Sequence, residues 1–232
     1  VISNPVFIIA LRSEMKTGLL ISFLIISGSA ASFFHILHIL CLSQYGLPGI
    51  SIKIGEINMG NNMELDYEMF CYQCEQTANQ KGCTKLGVCG KTPEVANLQD
   101  LLIFQIKGIS CYARPLIEKG TPMDKSVVSF IENVLFTTLT NVNFDAEVHV
   151  ELLRESQRIK EELRAYAGAP SQPTLHATYD LPQTKTEMLR DAPIAGIMYD
   201  KSLDPDIRSL RQTVLYGLKG ISAVSYTHLT LP

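Results

Sequence analysis

Met69–Lys91 reads MFCYQCEQTANQKGCTKLGVCGK and holds four of the chain's six cysteines, Cys71, Cys74, Cys83 and Cys89. Two, eight and five residues separate them in turn. The two-residue gap lets two thiolates from one tight turn point at a common centre, and the longer gaps bring the chain back around the other side. Gly82, Gly87 and Gly90 permit close backbone approach and unusual φ, so that N–H groups can point at sulfur. Hydrogen bonds of that kind, together with burial, set the potential of an iron–sulfur cluster. Structural zinc competes with this reading, although zinc sites usually pair two short knuckles and the second pair here is spread over five residues. Disulfides rank third, because six cysteines are few for a disulfide scaffold and their clustering favours metal in a reducing compartment. Spacing favours iron–sulfur over zinc and leaves the function open.

Outward from the cysteines the pattern turns helical. Pro93 and Glu94 open a segment with apolar residues at Leu98, Leu101, Leu102, Phe104, Ile106 and Ile109, and Pro93 suits a first turn. Gly120, Thr121 and Pro122 break the chain, and Asp124 caps a second helix through KSVVSFIENVLFTTL. Asn143 or Asp145 caps a third, AEVHVELLRESQRIKEELRAYA, ended by Gly168, Pro170 and Pro173. Three helices on short turns predict a bundle over 93–170.

LLIFQIKGISCYA at 101–113 matches TVLYGLKGISA at 213–223 with an offset of 112, and Lys107–Ser110 repeats unchanged as Lys219–Ser222. Asp204 and Pro205 supply the second copy with a cap and a first-turn proline. The spacing predicts a second, truncated helical unit over 204–223. A proline-dotted connector over 171–203 is expected to carry a short helix near Lys185–Arg190.

The two ends differ from this middle. Gly18–Ile52 lacks any Lys, Arg, Asp or Glu, and residues 18–42 meet the length criterion for a membrane anchor of roughly 20 apolar residues. Arg12 and Lys16 would then lie on the cytoplasmic side. The preferred reading of 1–58 is translated upstream DNA: Gly55-Glu56 requires GGN-GAR codons, which can spell a ribosome-binding site before Met59. Val224–Pro232, VSYTHLTLP, continues none of the preceding periodicity and is expected to be a foreign tail.

An apolar fraction of 46% and a charged fraction of 19% are ordinary for a globular protein, long enough for one large domain or two modest ones. A net charge of −3 provides no basic footprint, so nucleic acid is demoted and none is expected as a partner.

MFCYQCEQTA, followed by GCTKLGVCGKTPEVANLQDLLI, closely resembles the N-terminus of the hybrid cluster proteins, also called prismane proteins or hydroxylamine reductases. The resemblance runs on through GISCYA, the acidic third helix and DIRSLRQTVLYGLKGISA, and covers 59–223. It implies a mainly α fold: a cysteine-rich iron–sulfur loop over 59–92, then helical bundles, with the family's later α/β domains absent. The 2–8–5 spacing resembles the family's [4Fe–4S] form, with Cys71, Cys74, Cys83 and Cys89 as the ligands. In such proteins the cubane passes electrons from a redox donor to a hybrid iron–sulfur–oxygen cluster. There hydroxylamine is reduced to ammonia, and nitric oxide reduction is also assigned to the family. That second cluster takes its ligands from the later domains, so the resemblance implies an electron-entry fragment with no catalytic residue of its own, and the clustered thiols place it in the reducing cytoplasm. The alternative is a stand-alone iron–sulfur or zinc-binding module without catalysis, with or without a membrane anchor.

Cys111, aligned with Ala223 of the second copy, reads as a small core residue rather than a fifth ligand. Cys41 is assigned no role. His149 at the head of the acidic helix reads as solvated, and His35, His38, His176 and His228 show no metal spacing. Phe70 and Tyr72 either shield the cluster or simply pack, and Glu75 and Gln76 either bond nearby backbone or sit in an exposed turn. RESQRIKEELR reads as a solvated face.

Overall fold

The computed structural model describes residues 7–8, 25–26, 30–42, 68–74, 76–170, 173–199 and 203–230. They form a mainly helical protein. Phe7–Ile8 (β1) and Ile25–Ile26 (β2) make a two-residue antiparallel pairing, and seven helices follow among the described residues: α1 Ala30–Leu42, α2 Pro93–Glu118, α3 Lys125–Thr137, α4 Ala146–Ala167, α5 Leu175–Thr178, α6 Lys185–Asp191 and α7 Pro205–Thr230.

Helix α2 is the axis of the fold. Thr92 caps it by accepting from the Val95 N–H, and Pro93 begins its first turn. Its 26 residues span about 39 Å. Leu98, Leu101, Leu102, Phe104, Ile106 and Ile109 are buried around much of its circumference, because α1, α4, α5 and the 3-10 turn Ala192–Ala195 all pack against it. The caps of the other helices follow from local chemistry. Asp124 accepts from Ser126 N–H. Asp145, rather than Asn143, caps α4, and Asn143 accepts from the Asp145 N–H. Thr184 and Glu187 form a reciprocal capping box on α6.

Three packing outcomes differ from expectation. First, α3 lies mainly against α7 and only slightly against α2, so the start of the second helical unit completes the first. The Phe136 and Tyr226 rings stack at 4.6 Å, and Ser225 donates to Glu132 Oε1 at 3.1 Å. Second, α7 continues through Thr230, seven residues past the break expected at Val224. Val-Ser-Tyr-Thr-His-Leu contains neither proline nor glycine to stop a helix, whatever its apolar periodicity.

Third, α1 arises within the segment set aside as a leader, yet Phe34, Ile36, Leu37 and Leu40 join the main core. Arg114 of α2 donates to Nδ1 of His38 at 2.8 Å. At 13 residues α1 spans about 20 Å, and among the described residues no helix is long and apolar enough to cross a membrane. The rest of the 18–42 anchor reading, and most of 1–58, lies outside the described residues.

Candidate metal centre

The cysteine loop is held by backbone pairing. Cys71 and Cys83 form an antiparallel bridge, with Cys71 N–H donating to Cys83 O at 3.0 Å and Cys83 N–H to Cys71 O at 2.8 Å. A pair that exchanges both bonds sends its side chains to one side of the ladder. The return is made in a short space. Thr77 N–H donates to Cys74 O at 3.2 Å, and the 3-10 turn Ala78–Gln80 follows, with Asn79 and Gln80 at positive φ. Gly82, at φ +149°, accommodates the Phe70 ring: a Cβ there would lie 2.6 Å from a ring carbon. Phe70 itself meets Tyr72 edge-on, with centroids 5.2 Å apart. Aromatic packing beside the thiols is therefore present.

The distal half closes as a second turn. Gly87 N–H donates to Lys91 O and Gly90 N–H to Gly87 O, each at 2.8 Å. A Cβ on Gly87 would stand 3.1 Å from the Cys89 Sγ. Helix α2 anchors both ends of the loop. Asn97 Nδ2 donates to the Glu68 carbonyl at 2.9 Å, and Lys91 Nζ donates to Gln99 Oε1 at 2.6 Å.

The electrostatics ease ionisation of Cys83 relative to an ordinary thiol. Burial opposes ionisation, but the N–H groups of Ala78 and Val88, the Thr77 hydroxyl and the Lys91 charge outweigh it and hold the thiol below its ordinary value. Ala78 N–H lies 3.4 Å from the sulfur and Thr77 Oγ1 3.7 Å. At Cys71 burial dominates and pushes the thiol up, against the Gln73 N–H and Lys91.

All six cysteines are free thiols. The structure brings Cys71 and Cys83 face to face and leaves Cys74 and Cys89 half-buried on the flanking turns. Among the described residues no three Cys, His, Asp or Glu side chains stand in ligating geometry. The donor set nevertheless suits a thiolate-ligated centre: four thiols on one loop, with N–H groups directed at the sulfur of one of them.

Several residues around the loop carry no motif. His149 is fully buried rather than solvated. Its Nδ1–H donates to the Asp145 carbonyl at 2.6 Å, so that Nε2 receives Gln99 Nε2 at 3.2 Å. Burial keeps its imidazole below the ordinary value. Lys91, Gln99 and His149 thus link the loop to α4.

Lys219 is 2% exposed and donates to Thr138 O at 2.9 Å and to Gln73 Oε1, inside the Cys71–Cys74 turn, at 3.4 Å. Its helical spacing from the apolar Leu215 and Leu218, on the buried stripe that also holds Ser222, was the available signal. A cleft of about 260 Å³, lined by Tyr72, Gln73, Ile197, Leu215, Tyr216 and Lys219, opens beside that turn. The RESQRIKEELR face is split. Arg158 pairs with Glu155 and Glu162 in solvent, whereas Ile159 and Lys160 are buried against α2 and the connector. Cys111 is buried in the core, as expected. Glu75 lies outside the described residues.

The Prismane/CO dehydrogenase family model matches residues 69–231. The hydroxylamine reductase of Syntrophobacter fumaroxidans is 43% identical over 159 residues, covering 67% of this chain and 29% of that protein. That of Bacteroides thetaiotaomicron is 42% identical over 164 residues, covering 69% and 28%. That of Desulfovibrio desulfuricans is 41% identical over 155 residues, covering 67% and 28%. The chain therefore spans less than a third of the length of these curated relatives.

Proposed function

Because the chain belongs to the Prismane/CO dehydrogenase family, we propose that it is the N-terminal, electron-entry part of a hydroxylamine reductase. Cys71, Cys74, Cys83 and Cys89 would hold a [4Fe–4S] cluster, which when bound supplies one-electron transfer. The observation that carries this reading is the Cys71–Cys83 pairing with backbone N–H groups on the Cys83 sulfur. That arrangement favours the thiolate a cluster requires.

The chain's own residues prepare the site. Thr77, Ala78 and Val88 place donors on Cys83, Gly82 admits Phe70, and Asn97 and Lys91 fix the loop to α2. The half-buried turns at Cys74 and Cys89 leave the loop open to a redox donor. Reduction of hydroxylamine to ammonia, and of nitric oxide, belongs to the whole protein. The hybrid iron–sulfur–oxygen cluster that performs it is assigned outside this chain, since beyond Cys89 the one cysteine left is the buried Cys111. We place the protein in the cytoplasm, where thiols stay reduced.

Anaerobic purification tests the reading. Four iron and four sulfide per chain, a brown colour and an axial or rhombic EPR signal on reduction are expected. Colourless protein containing one zinc would replace the cluster with a structural metal.

A further inference from the structure

Segments far apart in sequence bring two other sulfurs together. Cys41, in the last turn of α1, places Sγ 2.9 Å from Sγ of Cys111 on α2. Both are buried and both are thiols. The Thr174 hydroxyl, at the cap of α5, lies 3.1 Å from Cys41 Sγ and 3.6 Å from Cys111 Sγ. His176 Nδ1 lies 3.4 Å from Cys41 Sγ. An S–S bond of about 2.05 Å is reached by moving the sulfurs together by less than an ångström. This pair is remote from the cysteine loop: Ala96, which packs on Cys83, and Cys111 are separated by fifteen residues of α2, about 22 Å of helix.

We propose that Cys41 and Cys111 are a redox pair that a peroxide closes to a disulfide, tying α1 to α2. The roles follow from the asymmetry of the pair. The Cys111 thiol donates to the Lys107 carbonyl at 3.3 Å, which leaves Cys41 as the donor across the 2.9 Å sulfur contact. That bond and the Thr174 hydroxyl hold the Cys111 thiol below its ordinary value, against burial, whereas the same bond and burial push Cys41 up. Cys111 is therefore the attacking thiolate and Cys41 the resolving thiol.

Cys111 sulfur attacks one oxygen of hydrogen peroxide; an S–O bond forms, the O–O bond breaks, and hydroxide leaves to take up a proton. Cys41 sulfur then attacks the Cys111 sulfenic acid; the S–S bond forms, the S–O bond breaks, and the Cys41 proton leaves with the hydroxyl as water. In sum, two thiols lose two electrons and one peroxide becomes two waters. The product covalently closes the chain between Cys41 and Cys111, across the packing of α1 on the core.

The test uses the full chain. Reduced protein is exposed to hydrogen peroxide, quenched with N-ethylmaleimide, digested without reductant and mapped by mass spectrometry. A Cys41–Cys111 linked peptide, released by dithiothreitol, is expected. The oxidised chain should also melt several degrees above the reduced one, and C41S should trap dimedone at Cys111. Full alkylation of Cys41 and Cys111 while the loop cysteines oxidise would overturn the proposal, as would linkage of either to the loop. Dimedone on Cys41 in C111S, with none on Cys111 in C41S, would overturn the assignment of roles. The wild-type map decides the pairing even where a variant fails to fold.

Discussion

Lys219 Nζ donates to the carbonyl oxygen of Thr138, the C-cap of α3, at 2.9 Å. The same ammonium reaches Gln73 between Cys71 and Cys74, so one buried side chain on α7 holds both the end of α3 and the cysteine turn. Replacing it with methionine leaves a buried carbonyl without its donor, at a cost of about 2 kcal/mol. Urea unfolding of Lys219→Met should show that loss, together with a reduced iron content after anaerobic reconstitution. Wild-type stability and wild-type iron content would refute the link.

The repeated Lys-Gly-Ile-Ser predicts opposite outcomes for one substitution. A Cβ on Gly108 would meet the His176 carbonyl oxygen at 2.2 Å, whereas one on Gly220 meets nothing within 4 Å. Gly108→Ala forces α5 away from α2 and should cost about 2 kcal/mol or more. Gly220→Ala should stabilise by about 0.5–1 kcal/mol through helix propensity. Thermal melts of the two variants check this, and equal shifts would contradict it.

Stability should rise with pH above neutrality. Lys160 is buried, with Nζ donating to Gln105 Oε1 at 2.7 Å and to the Tyr179 carbonyl. Burial pushes it down to about 7, from about 10.4 in the unfolded chain. Between those values the unfolded chain binds the extra proton, so the folded state gains by up to about 1.4 kcal/mol per pH unit as pH rises. Lys219, also pushed down to about 7, adds to the trend. Urea midpoints measured from pH 7 to 9 should climb, and less steeply in Lys160→Met. A flat or falling profile for the wild type counts against these buried ammonium groups.

Metal removal should leave the helices standing. Met69, Cys83 and Ala96 form a small cluster apart from the main core on α2. Chelation, or Cys89→Ser, should therefore abolish the iron signal with little change in far-UV circular dichroism. Collapse of the helical signal would show that the loop organises the bundle.

The elements were legible in sequence because they depend on neighbours. The 2–8–5 cysteine spacing marked the loop, and Pro93, Asp124, Asp204 and Pro205 marked helix starts through bonds that span only a few residues. The short helix expected near Lys185–Arg190 is found at Lys185–Asp191. The acidic third helix differs in part from the solvated face its composition predicts. Charged residues surround α4, and its buried stripe of His149, Leu153, Ser156 and Lys160 contains a histidine and a lysine that composition assigns to water. They are buried because Gln99, Gln105 and the Tyr179 carbonyl offer partners from other segments.

Local chemistry thus specified which stretches are helical, where they start and which thiols cluster along the chain, since caps, turns and short spacings act over a few residues. Packing alone assigned α3 to α7, seated α1 on α2 and set Cys41 against Cys111 seventy residues away. Such choices depend on which apolar faces and buried polar groups find complements once the helices meet, and no local pattern encodes that match.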